Sequence, residues 1–115
     1  MNFLWAFIVL PLGAFASDCR VDGISDSPQK ISCYLHVGKL IKTMDVKCRE
    51  GIYQIEWEQK VYDVNQAYHE EVERGSNPLV FQADRLSLKT TSYQIYSRAI
   101  LNIDGIRYDG LCFNK

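Results

Sequence analysis

The chain has no surplus of positive charge, no cysteine spacing suited to a metal, and no apolar run long enough to cross a bilayer. Each absence removes a class of function. Against 14 Asp and Glu stand 13 Lys and Arg, a formal net charge of −1, whereas non-specific grip on phosphate backbones needs an excess of cations. This disfavours a dedicated DNA or RNA binder. Neither a Cys-x-x-Cys nor a Cys/His ligand spacing occurs, so a zinc site lacks its donors. A Ser/His/Asp order and a Gly-rich phosphate loop are also missing, and no cofactor is expected. Without a linker, repeat or low-complexity tract, the chain reads as one domain.

The most apolar stretch, Phe3 to Leu12, is about ten residues long against the roughly 20 a spanning helix requires. Pro11 and Gly13 break it, and Ala14-Phe15-Ala16 has the small-x-small pattern of a signal-peptidase site. The usual basic residues before the run are absent. The sequence predicts a signal peptide over residues 1–16 and a secreted domain over residues 17–115, enough for one modest core.

Four cysteines follow the predicted cut: Cys19, Cys33, Cys48 and Cys112. An even number in a short secreted chain reads as two disulfides, with three pairings open. The favoured pairing is Cys19 with Cys112 and Cys33 with Cys48, which ties the two ends of the domain together.

The closing stretch, Tyr93 to Phe113, holds two β-rich runs joined at Asp104-Gly105, the strongest short-range signal for a hairpin. Earlier, Cys19 to Ile24 reads as an extended segment turning at Asp22-Gly23. Asp26-Ser27-Pro28 resembles a helix start, and Ile31, Tyr34, Leu35 and Ile41 recur at helical spacing behind it. A helix over Ser27 to Lys42 is therefore expected. Met44 to Arg49 reads as a strand, and Tyr53, Ile55 and Trp57 alternate with Gln54, Glu56 and Glu58 in another. Residues 65–74 fit either a helix or a strand. Leu79 to Leu88 reads as one strand bending at Asp84-Arg85. The expected fold class is α+β, with one helix packed on an antiparallel sheet of four or five strands.

Few residues offer chemistry. His36 lies among lysines and His69 beside Glu70 and Glu71; solvated surface roles suit both better than catalysis. Glu56 and Glu58 on one strand face would be about 7 Å apart, a separation that acid/base pairs use, but alternation alone explains them as a solvent face. Lys39, Lys42, Lys47 and Arg49 cluster where the expected helix ends. Lys39 and Lys42 there complement its dipole, or the four form a patch for a phosphate or an acidic partner. Trp57, Tyr53 and the tyrosines of the closing hairpin could stack bases, though alternating aromatics more often pack a sheet.

Ser97-Arg98-Ala99-Ile100-Leu101-Asn102, followed by Arg107-Tyr108-Asp109-Gly110, resembles a strand and following turn of the RNase-like effectors secreted by powdery mildew fungi. Tyr68-His69-Glu70-Glu71-Val72 is loosely similar to a mid-chain stretch of that family, and Cys19 sits where its first cysteine follows the signal peptide. The chain departs from the pattern in lacking an aromatic before Cys19, in placing Cys112 after the last turn, and in adding Cys33 and Cys48. The resemblance implies a microbial-ribonuclease-like scaffold. Active relatives use a general-base Glu, an Arg for the phosphate and a late general-acid His. Glu56 or Glu58 and Arg85 or Arg98 could fill two places, but no histidine follows His69, so the scaffold would be non-catalytic.

The expected function is thus a secreted virulence effector that enters the host plant cell, binds a host protein, suppresses immunity and is recognised by an intracellular receptor. RNA is a lesser partner, no membrane is involved, and the protein acts as a monomer. The expected binding residues are Lys39, Lys42, Lys47 and Arg49. An active secreted ribonuclease and an unrelated β-sandwich or disulfide-stabilised binding module are the alternatives. Ser27 to Lys42 discriminates: as a strand, it defeats the ribonuclease-like reading.

Overall fold

Alternation governs nearly every element of the computed structural model, which describes residues 18–70, 78–92 and 96–114. Eight strands follow in order: β1 (Lys30–Val37), β2 (Leu40–Arg49), β3 (Ile52–Trp57), β4 (Lys60–His69), β5 (Leu79–Ala83), β6 (Leu86–Ser92), β7 (Ser97–Ile103) and β8 (Ile106–Asn114). Each pairs antiparallel with the next, and β8 returns to β1, closing an up-and-down barrel. The described residues contain no helix, so the α+β fold with a helix on a sheet is corrected to an all-β barrel.

The segment Ser27 to Lys42 is the source of that error. Ile31, Cys33 and Leu35 are buried at a period of two, and the chain reverses at Gly38-Lys39 into β2. Tyr34 and Ile41, assigned to the helical stripe, stand outside the barrel at 51% and 71% exposure. The run Ile-Ser-Cys-Tyr-Leu-His-Val has the β-branched and aromatic composition that fits a pleated surface. The apparent helix start is a turn instead: the Ser27 hydroxyl accepts the Val21 N–H at 2.8 Å and donates to the Ile24 carbonyl at 3.0 Å. Ser and Pro favour turns for the same reason they favour helix starts, by local side-chain hydrogen bonding and a fixed φ.

The Asp104-Gly105 hairpin is present, with φ of 50° and 82°, the pair of positive angles a type I′ turn requires. Asp84-Arg85 is not a bend within one strand but the turn between β5 and β6. Residues 65–69 belong to β4, with a register shift between Val64 and Gln66; residues 71–77 lie outside the described residues, as do the predicted signal peptide and its cut.

The bore is filled by side chains. Leu35, Met44, Ile55, Phe81, Leu88 and Leu101 are fully buried there, as an eight-stranded barrel permits. Tyr53 meets Phe81 edge-on at 5.2 Å between centroids, and Trp57 meets Tyr108 at 4.9 Å nearer the hairpin end. A strap, Cys19 to Ile24, crosses the opposite end and buries Cys19 and Val21 against the core. Its Asp22 N–H donates to the Ala67 carbonyl at 3.3 Å, and the His69 N–H donates to the Asp22 carbonyl at 3.1 Å. The Gln29 amide holds both main-chain groups of Cys19 at 2.9 and 3.0 Å.

Both disulfides exist, but the favoured pairing is overturned: Cys19 bonds Cys48, and Cys33 bonds Cys112. The physical reason is register. Cys33 and Cys112 stand directly opposite each other across the β1–β8 seam, whereas Cys48 lies at the end of β2 beneath the strap. In the chain-entropy picture, sequence separations of 79 and 29 residues correspond to about 4.5 and about 3.6 kcal/mol. Two such bonds fit folding in an oxidising compartment.

Candidate binding surface

The sequence-predicted basic patch is dispersed and largely neutralised. Lys39 occupies the β1–β2 turn. Lys42 shares the inward parity of Met44 and Val46, and its Nζ lies 5.9 Å from the Trp57 ring centroid and 2.7 Å from Glu58. The hydrogen bond to Glu58 raises the Lys42 pKa above the usual lysine value, against a lowering by desolvation. Lys47 and Arg49 lie on the outer wall and share Glu56, at 3.3 and 3.8 Å.

The carboxylate pair is likewise taken apart. Glu56 faces outward from β3, but Glu58 sits in the β3–β4 turn at φ 48°, so the two do not share a strand face. His69 is at the far end of β4 from that turn, about 30 Å away by the strand rise. It packs at the strap, where its Nδ1 and Cβ lie 3.3 Å from the point a Cβ on Gly23 would occupy. Its Nε2 is buried and has no hydrogen-bond partner among the described residues. Neither glutamate therefore meets His69 at one phosphate. Of the two arginines, Arg85 lies in the β5–β6 turn and Arg98 on the outer face of β7. Glu70 pairs with Lys89 at 3.1 Å; Glu71 is outside the described residues.

A different surface emerges from closure of the barrel. Across the seam, Leu111 stands opposite Tyr34, Phe113 opposite Ser32, and Asp109 opposite His36, which in turn faces Ile41. On this outward face a groove of about 540 Å³ is bounded by Tyr34, His36, Ile41, Arg98, Leu111 and Phe113. Leu111 is 38% exposed, and Tyr34 meets Phe113 edge-on at 6.1 Å. The groove floor is held from below, because Cys33 and Cys112 are chain neighbours of Tyr34, Leu111 and Phe113. A larger recess of about 760 Å³ on the β2–β4 wall is dominated by charge, with Asp45 directly across from Glu56.

Charge at the apolar groove is uneven. The Asp109 carboxylate is already engaged by Arg107, at 3.0 Å from Nη2 and 3.2 Å from Nε. Arg98, opposite Leu111, is exposed and has no ion-pair or hydrogen-bond partner among the described residues.

Sequence reasoning missed this surface because Tyr34 and Ile41 were placed in a helix core. The available signal was Leu111-Cys112-Phe113, a strand end apolar on both faces although only one can face a barrel's interior. No family model, curated protein or solved structure matches the chain.

Proposed function

We propose that the protein is a secreted, non-catalytic binding module that engages a protein partner through the outer wall of its barrel. The observation that carries this reading is the exposed apolar groove over the β8–β1 seam, built from Tyr34, Ile41, Leu111 and Phe113 on a bore packed with side chains. Contiguous apolar surface of this kind, rimmed by polar groups, suits a protein interface better than solvent. A filled bore leaves the outside as the place for recognition. The effector role belongs to this reading, with a host plant protein as the partner after uptake into the plant cell; the ribonuclease-like scaffold does not.

The test compares the oxidised protein with Leu111→Asp for complex formation in host plant extract, followed by reconstitution from purified components. A saturable complex with one plant protein, lost in the variant while its folding is retained, is the expected result. Multiple-turnover cleavage of RNA by the protein, or complexes indifferent to the groove, would overturn the reading.

A further inference from the structure

Resting on that binding-module reading, we infer that the groove takes an extended segment of the partner carrying a large apolar side chain next to a carboxylate. Arg98 forms the ion pair with that carboxylate.

The floor offers two aromatic rings and two aliphatic side chains, from Tyr34, Phe113, Ile41 and Leu111. Polar groups at its edge are unequal, since Asp109 is occupied by Arg107 and Arg98 has no ion-pair partner among the described residues. In a protein of net charge −1 this face is therefore locally positive, and an anionic apolar segment is its counterpart. Guanidinium is suited to that role, because it binds carboxylate bidentately and is weakly hydrated. From Asp109 to Phe113 the wall runs about 13 Å, the length of roughly four extended residues.

Two other occupants fit less well. In a symmetric dimer the same face meets itself, which would bring two locally positive surfaces together. A fatty acid needs a pocket enclosing most of its surface, whereas Tyr34 and Ile41 lie on the open outer wall. The staple beneath the groove also favours a peptide, since a rigid floor lowers the ordering cost of binding.

Selection of a random-peptide display library on the oxidised protein, followed by titration of the best synthetic peptide, tests the inference. Enriched sequences should carry Phe, Trp or Leu beside Asp or Glu, and the peptide should shift the NMR signals of Tyr34, Leu111 and Phe113. Arg98→Gln should weaken binding about tenfold, the size of a lost charge-assisted hydrogen bond. It should have no effect on the same peptide with its carboxylate replaced by the amide. Binding at the groove that ignores both changes overturns the acidic specificity while leaving the binding-module reading intact. So does enrichment of peptides without acidic residues, decanoate that displaces the peptide, or self-association abolished by Leu111→Asp. Failure to enrich any peptide, with the plant-protein complex still forming, overturns this inference alone; failure of both overturns both.

Discussion

Gly110→Ala tests the β1–β8 seam most directly. Gly110 shares the inward parity of Tyr108 and Cys112 and stands across from Leu35. A Cβ there would overlap the Tyr34 carbonyl oxygen and lie 2.8 Å from the Leu35 Cα. Both are backbone atoms, which cannot swing aside as the end of a side chain can. Bringing the Leu35 Cα alone to an ordinary contact of 3.4 Å requires the strands to part by about 0.6 Å, and clearing the Tyr34 carbonyl oxygen requires more. Overpacking of this kind costs about 1–3 kcal/mol, and each ladder hydrogen bond lost adds about 1 kcal/mol. A destabilisation of about 4 kcal/mol is expected, lowering the melting temperature by roughly 15–30 °C. Gly38→Ala is the control: its φ is +59° with nothing within 4 Å, so alanine there carries only the left-handed penalty of about 1 kcal/mol. Urea unfolding of the oxidised variants, followed by Trp57 fluorescence, measures both. If Gly110→Ala is no less stable than Gly38→Ala, the close approach of the two strands is refuted.

Replacing Cys33 and Cys112 together by alanine should destabilise by about 4.5 kcal/mol, against about 3.6 kcal/mol for Cys19 and Cys48; peptide mapping of the native protein should recover the pairs Cys19–Cys48 and Cys33–Cys112. Gln59 holds φ 67° in a turn without glycine, so Gln59→Gly should stabilise by about 0.5–1 kcal/mol in the same denaturation assay. Burial pushes the Tyr53 phenol above its usual pKa of 10.0, partly offset by Ser27. Its folded form thus holds the proton more tightly than its unfolded form, and stability should fall as pH rises through and above 10. Tyr53→Phe should flatten that decline, and it should cost about 1 kcal/mol at neutral pH through the lost 2.6 Å hydrogen bond to the Pro28 carbonyl. The raised Lys42 pKa acts in the same direction: its contribution is complete below the unfolded value of 10.5 and is lost as pH rises through the folded one, so Lys42→Met should remove that share of the alkaline decline.

Legibility in the sequence followed how local the signal was. Asp104-Gly105 specifies its hairpin through backbone angles of the two residues themselves, and Tyr53, Ile55 and Trp57 announce the inner face of β3 by simple alternation. Ile31 to Ile41 misled because Ile31, Tyr34 and Leu35 also satisfy a helical period. The competing alternation runs through Cys33, which is a core residue as well as a half-cystine. A helix over this segment also hides the turn at Gly38, and the register that sets Cys33 against Cys112 exists only once β1 pairs with β8. The groove was beyond local reasoning altogether. Tyr34 and Ile41 come from one end of the chain and Arg98, Leu111 and Phe113 from the other, and only the pairing of β1 with β8 makes them neighbours. The separation of Glu58 from His69 was hidden for the same reason, since a strand running the length of the barrel lies between them.

The position of the seam also dictates an order of events as the chain is made. Cys19 and Cys48 are both available once the first half has entered an oxidising compartment, and the strap can be tied at that stage. Cys33 has to wait, because its partner emerges 79 residues later. Until then it is a thiol flanked by two cysteines that must take each other. The barrel can be sealed only after synthesis of its last strand, so the groove over the seam does not exist on the nascent chain, and a partner that recognises it will find only the finished, oxidised protein.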